Sequence, residues 1–270
     1  MPKPEYVPPA EKVAFFQANG FVTLEDVVSP EEVARYIAVT KDLLSGKIDT
    51  KDKRGDLGGH TERVDAAVEN TVQICHPYIL TSALDECEHF RKGRDICNAL
   101  FGDDDVDFAL DCSQILVKPA KSMTATPWHQ DQSYYPDALP DKRAANVWLA
   151  LEDCDVDMGC MQFHPAPLAA TDLRPHRPAG NGKGALTTDP PAGESVKAPL
   201  KAGSVVVFAN YTCHYAGPNA TDKWRPAFVA QYRPRTMVQA CRVLGFDHGK
   251  FAVNTGENRT TERLKLSAQQ

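Results

Sequence analysis

From about residue 107 onward the chain is a succession of short β-type runs separated by turn residues, with no helical pattern between them. The runs cover 107–118, 144–151, 159–163, 204–209, 212–215 and 226–233. They are rich in branched and aromatic residues and are bounded by Gly, Pro, Asn or Asp, as strands are. Parallel strands need crossovers of a dozen or more residues, usually helical, so this succession predicts a sandwich or barrel rather than an α/β sheet. The first hundred residues differ. Ser29-Pro30-Glu31-Glu32 offers an N-cap hydroxyl, a proline at the first helical position and a glutamate at the third. Val33, Tyr36, Ile37 and Leu43-Leu44 then carry an apolar stripe to Gly46. A shorter helix is expected over residues 11–17, stopped by Gly20, with residues 21–24 as a strand, and the charged, glycine-containing stretch 47–65 reads as a loop.

A chain of 270 residues can bury one substantial core. We expect a single domain over 1–270: helical support over 1–105, a β core over 106–235 and a C-terminal extension over 236–270. The stretch 165–199 is long, rich in Pro and Gly and aperiodic, which suits a lid over the core. A net charge of −6, with no block of like charge, argues against nucleic acid or an anionic membrane as partner and leaves small molecules. No apolar stretch reaches the roughly 18 residues that mark a spanning helix. Residues 1–5 lack a secretory apolar core, and Ser267-Ala268-Gln269-Gln270 is not a peroxisomal address, so a cytoplasmic location is expected. The 8 cysteines form no C-x-x-C pair and read as reduced, mostly buried thiols.

In Trp128-His129-Gln130-Asp131 an imidazole and a carboxylate stand two residues apart. On a strand both side chains share a face and Gln130 points away. A His-x-Asp arises by chance about once in such a chain, so a second feature has to support it. Cys213-His214-Tyr215-Ala216-Gly217-Pro218-Asn219 supplies another histidine at the end of a short strand, followed by a turn and Trp224-Arg225-Pro226. Two histidines and one carboxylate on one side of a metal leave open positions, as Fe(II) oxygenases require, whereas a closed structural site needs a fourth protein ligand. Arg225 opens the returning strand, and its planar fork suits a carboxylate better than lysine would. A structural salt bridge is the competing role for this arginine.

Taken together, these segments resemble the phytanoyl-CoA dioxygenase family of Fe(II)/2-oxoglutarate oxygenases. The resemblance runs through Phe16-x-x-Asn-Gly-Phe21, His129 to Tyr135, Trp148-Leu149-Ala150-Leu151-Glu152-Asp153, Gly159 to Pro165, and His214-x-x-Gly-Pro-Asn with Arg225 eleven residues beyond. It implies a mainly β fold with flanking helices, a double-stranded β-helix (jelly roll, cupin-like) buttressed by N-terminal helices. It further implies His129, Asp131 and His214 as Fe(II) ligands, Arg225 for the 2-oxoglutarate carboxylate, and Gln114 and Trp148 as further cosubstrate contacts. Gln114 stands four residues before the motif lysine Lys118. The reaction so implied consumes O₂ and 2-oxoglutarate, releases succinate and CO₂, and hydroxylates a C–H bond. Related halogenases replace the carboxylate ligand with a small residue, so Asp131 speaks against halogenation. Period-2 alternation independently puts Asn146, Trp148 and Ala150 on one face and Val147, Leu149 and Leu151 on the other.

Two departures from the family pattern stand out. Position 216 is alanine where some members carry serine, and Met158 and Ala166-Pro167 replace the common asparagine and Gly-Ser-His, so a local turn difference is expected. Two other classes use related features: a cupin-like metal-dependent isomerase or hydrolase, which has no need of Arg225, and a non-catalytic iron-binding sensor. For the substrate, Tyr134, Tyr135, Arg143 and Leu173-Arg174-Pro175-His176-Arg177 are candidates to line the mouth, and the three arginines point to an anionic group. His60, His76, His89, His164 and His248 have no ligand-like spacing.

Overall fold

Local signals in the first hundred residues produce the helices they specify. α1 (Ala10–Asn19) ends at Gly20, whose φ of 74° and N–H donated to Phe16 O turn the chain into β1 (Phe21–Leu24). α2 (Pro30–Leu44) starts as expected, with Ser29 Oγ accepting the Glu32 N–H. β2 (Arg54–Asp56) and β3 (Val72–Cys75) follow, then α3 (Glu88–Phe101) and β4 (Phe108–Lys118). The loop expected over 47–65 is therefore corrected: a 3₁₀ turn at Lys51–Lys53 leads into β2, which forms because β3 pairs with it. The computed structural model describes residues 3–243 apart from 63–66, 86, 104, 136–138 and 181–184. His248 and the terminal Ser267-Ala268-Gln269-Gln270 lie outside the described residues.

The remaining strands are β5 (Thr126–His129), β6 (Ala145–Ala150), β7 (Met161–Phe163), β8 (Arg177–Pro178), β9 (Leu186–Thr187), β10 (Val196–Ala198), β11 (Val205–Ala209), β12 (His214–Ala216) and β13 (Arg225–Pro234), with α4 (Arg235–Val243) after them. A seven-stranded antiparallel sheet has the order β1-β11-β6-β13-β4-β3-β2, and a four-stranded one the order β10-β7-β12-β5. These are the two sheets of the jelly roll. The large sheet is buried on both faces, which explains runs such as Val205-Val206-Val207-Phe208 with no polar alternation. Val147, Leu149, Val205 and Val207 face a core shared with α2 and α3. Trp148, Ala150, Val206 and Phe208 face inward, toward Met161, Phe163 and Ala216 of the small sheet. The alternation read from β6 thus holds. All eight cysteines are free and buried.

Most of the lid stretch is tied down. Ala166 N–H donates to Asn19 O and Leu168 N–H to Gln17 O, which fastens its start to α1. β8 and β9 form a hairpin, and β10 is an edge strand of the small sheet rather than a loop. At Met158 the chain makes a 3₁₀ turn, Val156–Met158, closed by Gly159 at φ 79°. A Cβ at Gly159 would stand 2.2 Å from Gly217 O and 2.9 Å from Pro218 O, on the turn between β12 and β13. Gly159→Ala should therefore cost roughly 2–5 kcal/mol, from left-handed strain plus overpacking, read as a lower urea midpoint at unchanged slope.

Candidate active site

The small sheet brings the two histidines together. β12 and β5 are antiparallel with His214 opposite His129, and the ring centroids are 4.1 Å apart. Asp131 does not continue the strand, which corrects the expectation that all three motif residues share one. β5 ends at His129, and the Gln132 N–H is captured by Asn210 O at 3.0 Å, so Asp131 opens a 3₁₀ turn, Asp131–Tyr134. The turn still delivers its carboxylate to the same place. Asp131 Oδ1 lies 3.4 Å from His129 Nε2 and 3.8 Å from His214 Nε2. One ligand atom from each of the three residues falls within 4.8 Å of the others, the one such grouping among the described residues.

Each of the three has its own orienting partner. His129 Nδ1 is 2.7 Å from Pro127 O, and His214 Nδ1 is 2.8 Å from Thr212 O. A carbonyl only accepts, so Nδ1 carries the proton and the Nε2 lone pairs face the Asp131 oxygen. Burial, with His129 beside it, lowers the His214 pKa to about 4, so the ring is neutral, the form that binds metals, at neutral pH. Asn146 Nδ2 donates to Asp131 Oδ2 at 2.6 Å, leaving Oδ1 for the metal side. Asn146→Ala should weaken Fe(II) binding about 10–100-fold, the usual effect of losing such a partner, as measured by anaerobic Fe(II) titration.

A cavity adjoins the triad and is lined by Gln114, Trp148, Ala216 and Arg225 among others. The structure therefore brings the three expected metal ligands together with Arg225, Gln114 and Trp148 at one cavity. Arg225 is buried, and burial lowers its pKa from the usual arginine value. Its Nε and Nη1 have no hydrogen-bond partner, its guanidinium lies 5.2 Å from the Trp148 ring centroid, and no carboxylate among the described residues pairs with it. That disposes of the structural salt bridge. Lys118, opposite Arg225 in the sheet register, is different: its Nζ donates to the carbonyls of Thr124, Ala216 and Gly217, bracing the strand that carries His214.

Several expected mouth residues are engaged elsewhere. Tyr134 does line the cavity, but Tyr135 is buried beneath Arg233, whose guanidinium lies 3.4 Å from its ring centroid. Arg143 pairs with Asp141 and Asp103, Arg177 with Asp189, and Arg174 donates to Asp189 O. None of the three arginines, nor Leu173, Pro175 or His176, is among the described residues lining the cavity, which corrects the reason for expecting an anionic substrate. Gln130 also has a use the sequence did not suggest. Its Nε2 donates to Asp172 O and Tyr211 O, its Oε1 accepts the Arg174 N–H, and its own N–H donates to His176 Nε2. The residue between two triad members is thus the fastening point of the 172–176 segment. Thr71 and Gln73 line the cavity from beside and within β3, a site contribution that sequence reasoning missed. The short β-type run Val72-Gln73-Ile74-Cys75 was the available signal.

Comparison with known proteins agrees with this fold. The family model for Phytanoyl-CoA dioxygenase (PhyH) matches residues 16–227. The ectoine dioxygenase of Streptomyces anulatus is 27% identical over 155 residues, 56% of this chain, and the match spans 49% of that relative's length. EvdO2 from Micromonospora carbonacea var. aurantiaca is 26% identical with a TM-score of 0.68, over 85% of this chain and 92% of its own; it has also been crystallised with 2-oxoglutarate. SnoN, a non-haem α-ketoglutarate-dependent epimerase from nogalamycin biosynthesis, shares the fold at 23% identity, with a TM-score of 0.65 over 84% of this chain and 83% of its own.

Proposed function

We propose, from the premise that this chain belongs to the phytanoyl-CoA dioxygenase family, that it is an Fe(II)- and 2-oxoglutarate-dependent dioxygenase that hydroxylates an unactivated C–H bond of a small molecule. The balance is R–H + 2-oxoglutarate + O₂ → R–OH + succinate + CO₂. The observation that carries the reading is Arg225: a buried cation with two unpartnered nitrogens, in the same cavity as a His–Asp–His group. A permanent charge buried without a partner is costly, and a dicarboxylate that chelates iron at one end would satisfy it at the other. A metal-dependent isomerase or hydrolase would leave that cation unused.

His129, Asp131 and His214 would hold the iron, through two imidazole nitrogens and one carboxylate oxygen. Arg225 takes the far carboxylate of 2-oxoglutarate, with Gln114 and Trp148 beside it. When bound, iron with 2-oxoglutarate and O₂ supplies the oxidising power; the protein supplies position, charge and exclusion of water. Trp148, Val229 and Phe208 wall the chamber with apolar surface. Asn146 keeps the Asp131 carboxylate turned so that one oxygen serves the metal. The Asp131 carboxylate completes the ligand set, which favours hydroxylation over halide transfer.

The test is anaerobic titration of metal-free protein with Fe(II) and then 2-oxoglutarate. The expected result is the weak visible charge-transfer band of the chelate. Iron-loaded protein that shows no band would overturn the oxygenase reading.

A further inference from the structure

We infer, on the oxygenase reading above with Arg225 occupied by 2-oxoglutarate, that Thr71 and Gln73 form the recognition edge for the primary substrate, and that the part seated there is uncharged and bears hydroxyl groups. Both residues line the cavity that holds the triad. Thr71 enters the cavity wall from the bend that precedes β3 and Gln73 from within β3. Both are held from behind. Thr71 N–H donates to Asp56 Oδ1, which also accepts the Gly58 N–H, while Asp56 Oδ2 accepts the Asn70 N–H. Thr71 O accepts the Leu57 N–H. Gln73 Nε2 donates to Gln114 Oε1, reaching diagonally across the β3–β4 pair.

What remains is Thr71 Oγ1 and Gln73 Oε1. Thr71 is 2% exposed and Gln73 5%, yet neither oxygen has a protein partner. Buried side-chain oxygens in native proteins are rarely left so, and two that belong to residues lining one cavity mark a place where a ligand makes the bonds. The chemistry of the pair selects the ligand. An amide oxygen only accepts, whereas a threonine hydroxyl both donates and accepts. A ligand hydroxyl does both as well, and so satisfies the pair even if the Gln73 amide is turned over. A carboxylate would meet the amide oxygen as a second acceptor. Arg225, taken up by 2-oxoglutarate, is the one arginine or lysine among the described lining residues, and Tyr134 Oη already accepts the Leu186 N–H. The Gln73–Gln114 bond then joins the substrate edge to a residue beside 2-oxoglutarate.

The experiment uses the full chain loaded with Fe(II) and 2-oxoglutarate without O₂. It is titrated with trans-cyclohexane-1,2-diol, the dimethyl ether of that diol and cyclohexane-1,2-dicarboxylate, following the charge-transfer band and the thermal midpoint. The diol should bind at least about tenfold tighter than the other two, since a site built to bond a hydroxyl rejects analogues lacking it. Thr71→Val, which exchanges the hydroxyl for a methyl, should abolish that preference, and Thr71→Ser, which keeps the hydroxyl, should retain it. No preference for the diol, tighter binding of the dicarboxylate, or a preference that survives Thr71→Val or is lost in Thr71→Ser overturns the assignment. Absence of the band before any probe is added defeats the oxygenase reading instead, so the two failures are distinct.

Discussion

Arg225→Leu should raise the thermal stability of the protein free of 2-oxoglutarate and at the same time remove most of its affinity for 2-oxoglutarate. The two effects have one cause. In the wild type a guanidinium is buried beside Trp148 with Nε and Nη1 unpartnered, so the folded state carries a desolvation cost that no carboxylate among the described residues offsets. An apolar side chain of similar reach avoids that cost, and for a chain of this size each kcal/mol recovered moves the midpoint by about 2–4 °C. Binding runs the other way. Removing one partner of a buried charge-assisted pair costs about 2–5 kcal/mol, which is roughly 30-fold to several thousand-fold in 2-oxoglutarate affinity at 1.4 kcal/mol per decade. Paired melting curves with and without 2-oxoglutarate read both signs. A lower midpoint in the ligand-free variant would mean that Arg225 braces the fold; unchanged 2-oxoglutarate binding would mean that another cation receives the carboxylate.

The difference between Arg225 and the other nominated arginines shows what the sequence could and could not convey. The position of Arg225 follows from β13 returning after the Gly217-Pro218-Asn219 turn, and that turn is written locally. Arg143 looked equally available, but Asp103, one of its partners, comes from 40 residues away through tertiary packing. Charge can be counted in a sequence; pairing across the fold cannot. The end of β5 was hidden for the same reason, because the carbonyl that captures the Gln132 N–H belongs to Asn210. The strand reading of His129 and Asp131 therefore reached the right convergence by the wrong local geometry. A sandwich or barrel was legible because β4, β6, β7, β11, β12 and β13 are local apolar runs between turn residues, whereas its jelly-roll form was implied only by the family resemblance. β3 was not read, since a run of only four residues is a weak local signal and takes its place by pairing with β2 and β4. With β3 went Thr71 and Gln73.

Asp131→Ala should abolish turnover and weaken Fe(II) binding by more than about 100-fold, the upper effect of losing only an outer partner. The carboxylate is the sole anionic group in the triad, and its Oδ1 faces both Nε2 atoms. Two neutral imidazoles alone provide too few donors and no charge to hold a divalent ion against water. The loss must also propagate to Asn146, whose amide reaches the metal side only through Asp131 Oδ2. The double variant Asp131→Ala/Asn146→Ala should therefore bind Fe(II) no more weakly than Asp131→Ala, although Asn146→Ala alone costs about 10–100-fold. Additive losses in that cycle would show that Asn146 acts on the metal site by a second route. Fe(II) affinity surviving in Asp131→Ala would remove the carboxylate from the ligand set and with it the basis for an oxygenase that binds iron through two histidines and one aspartate.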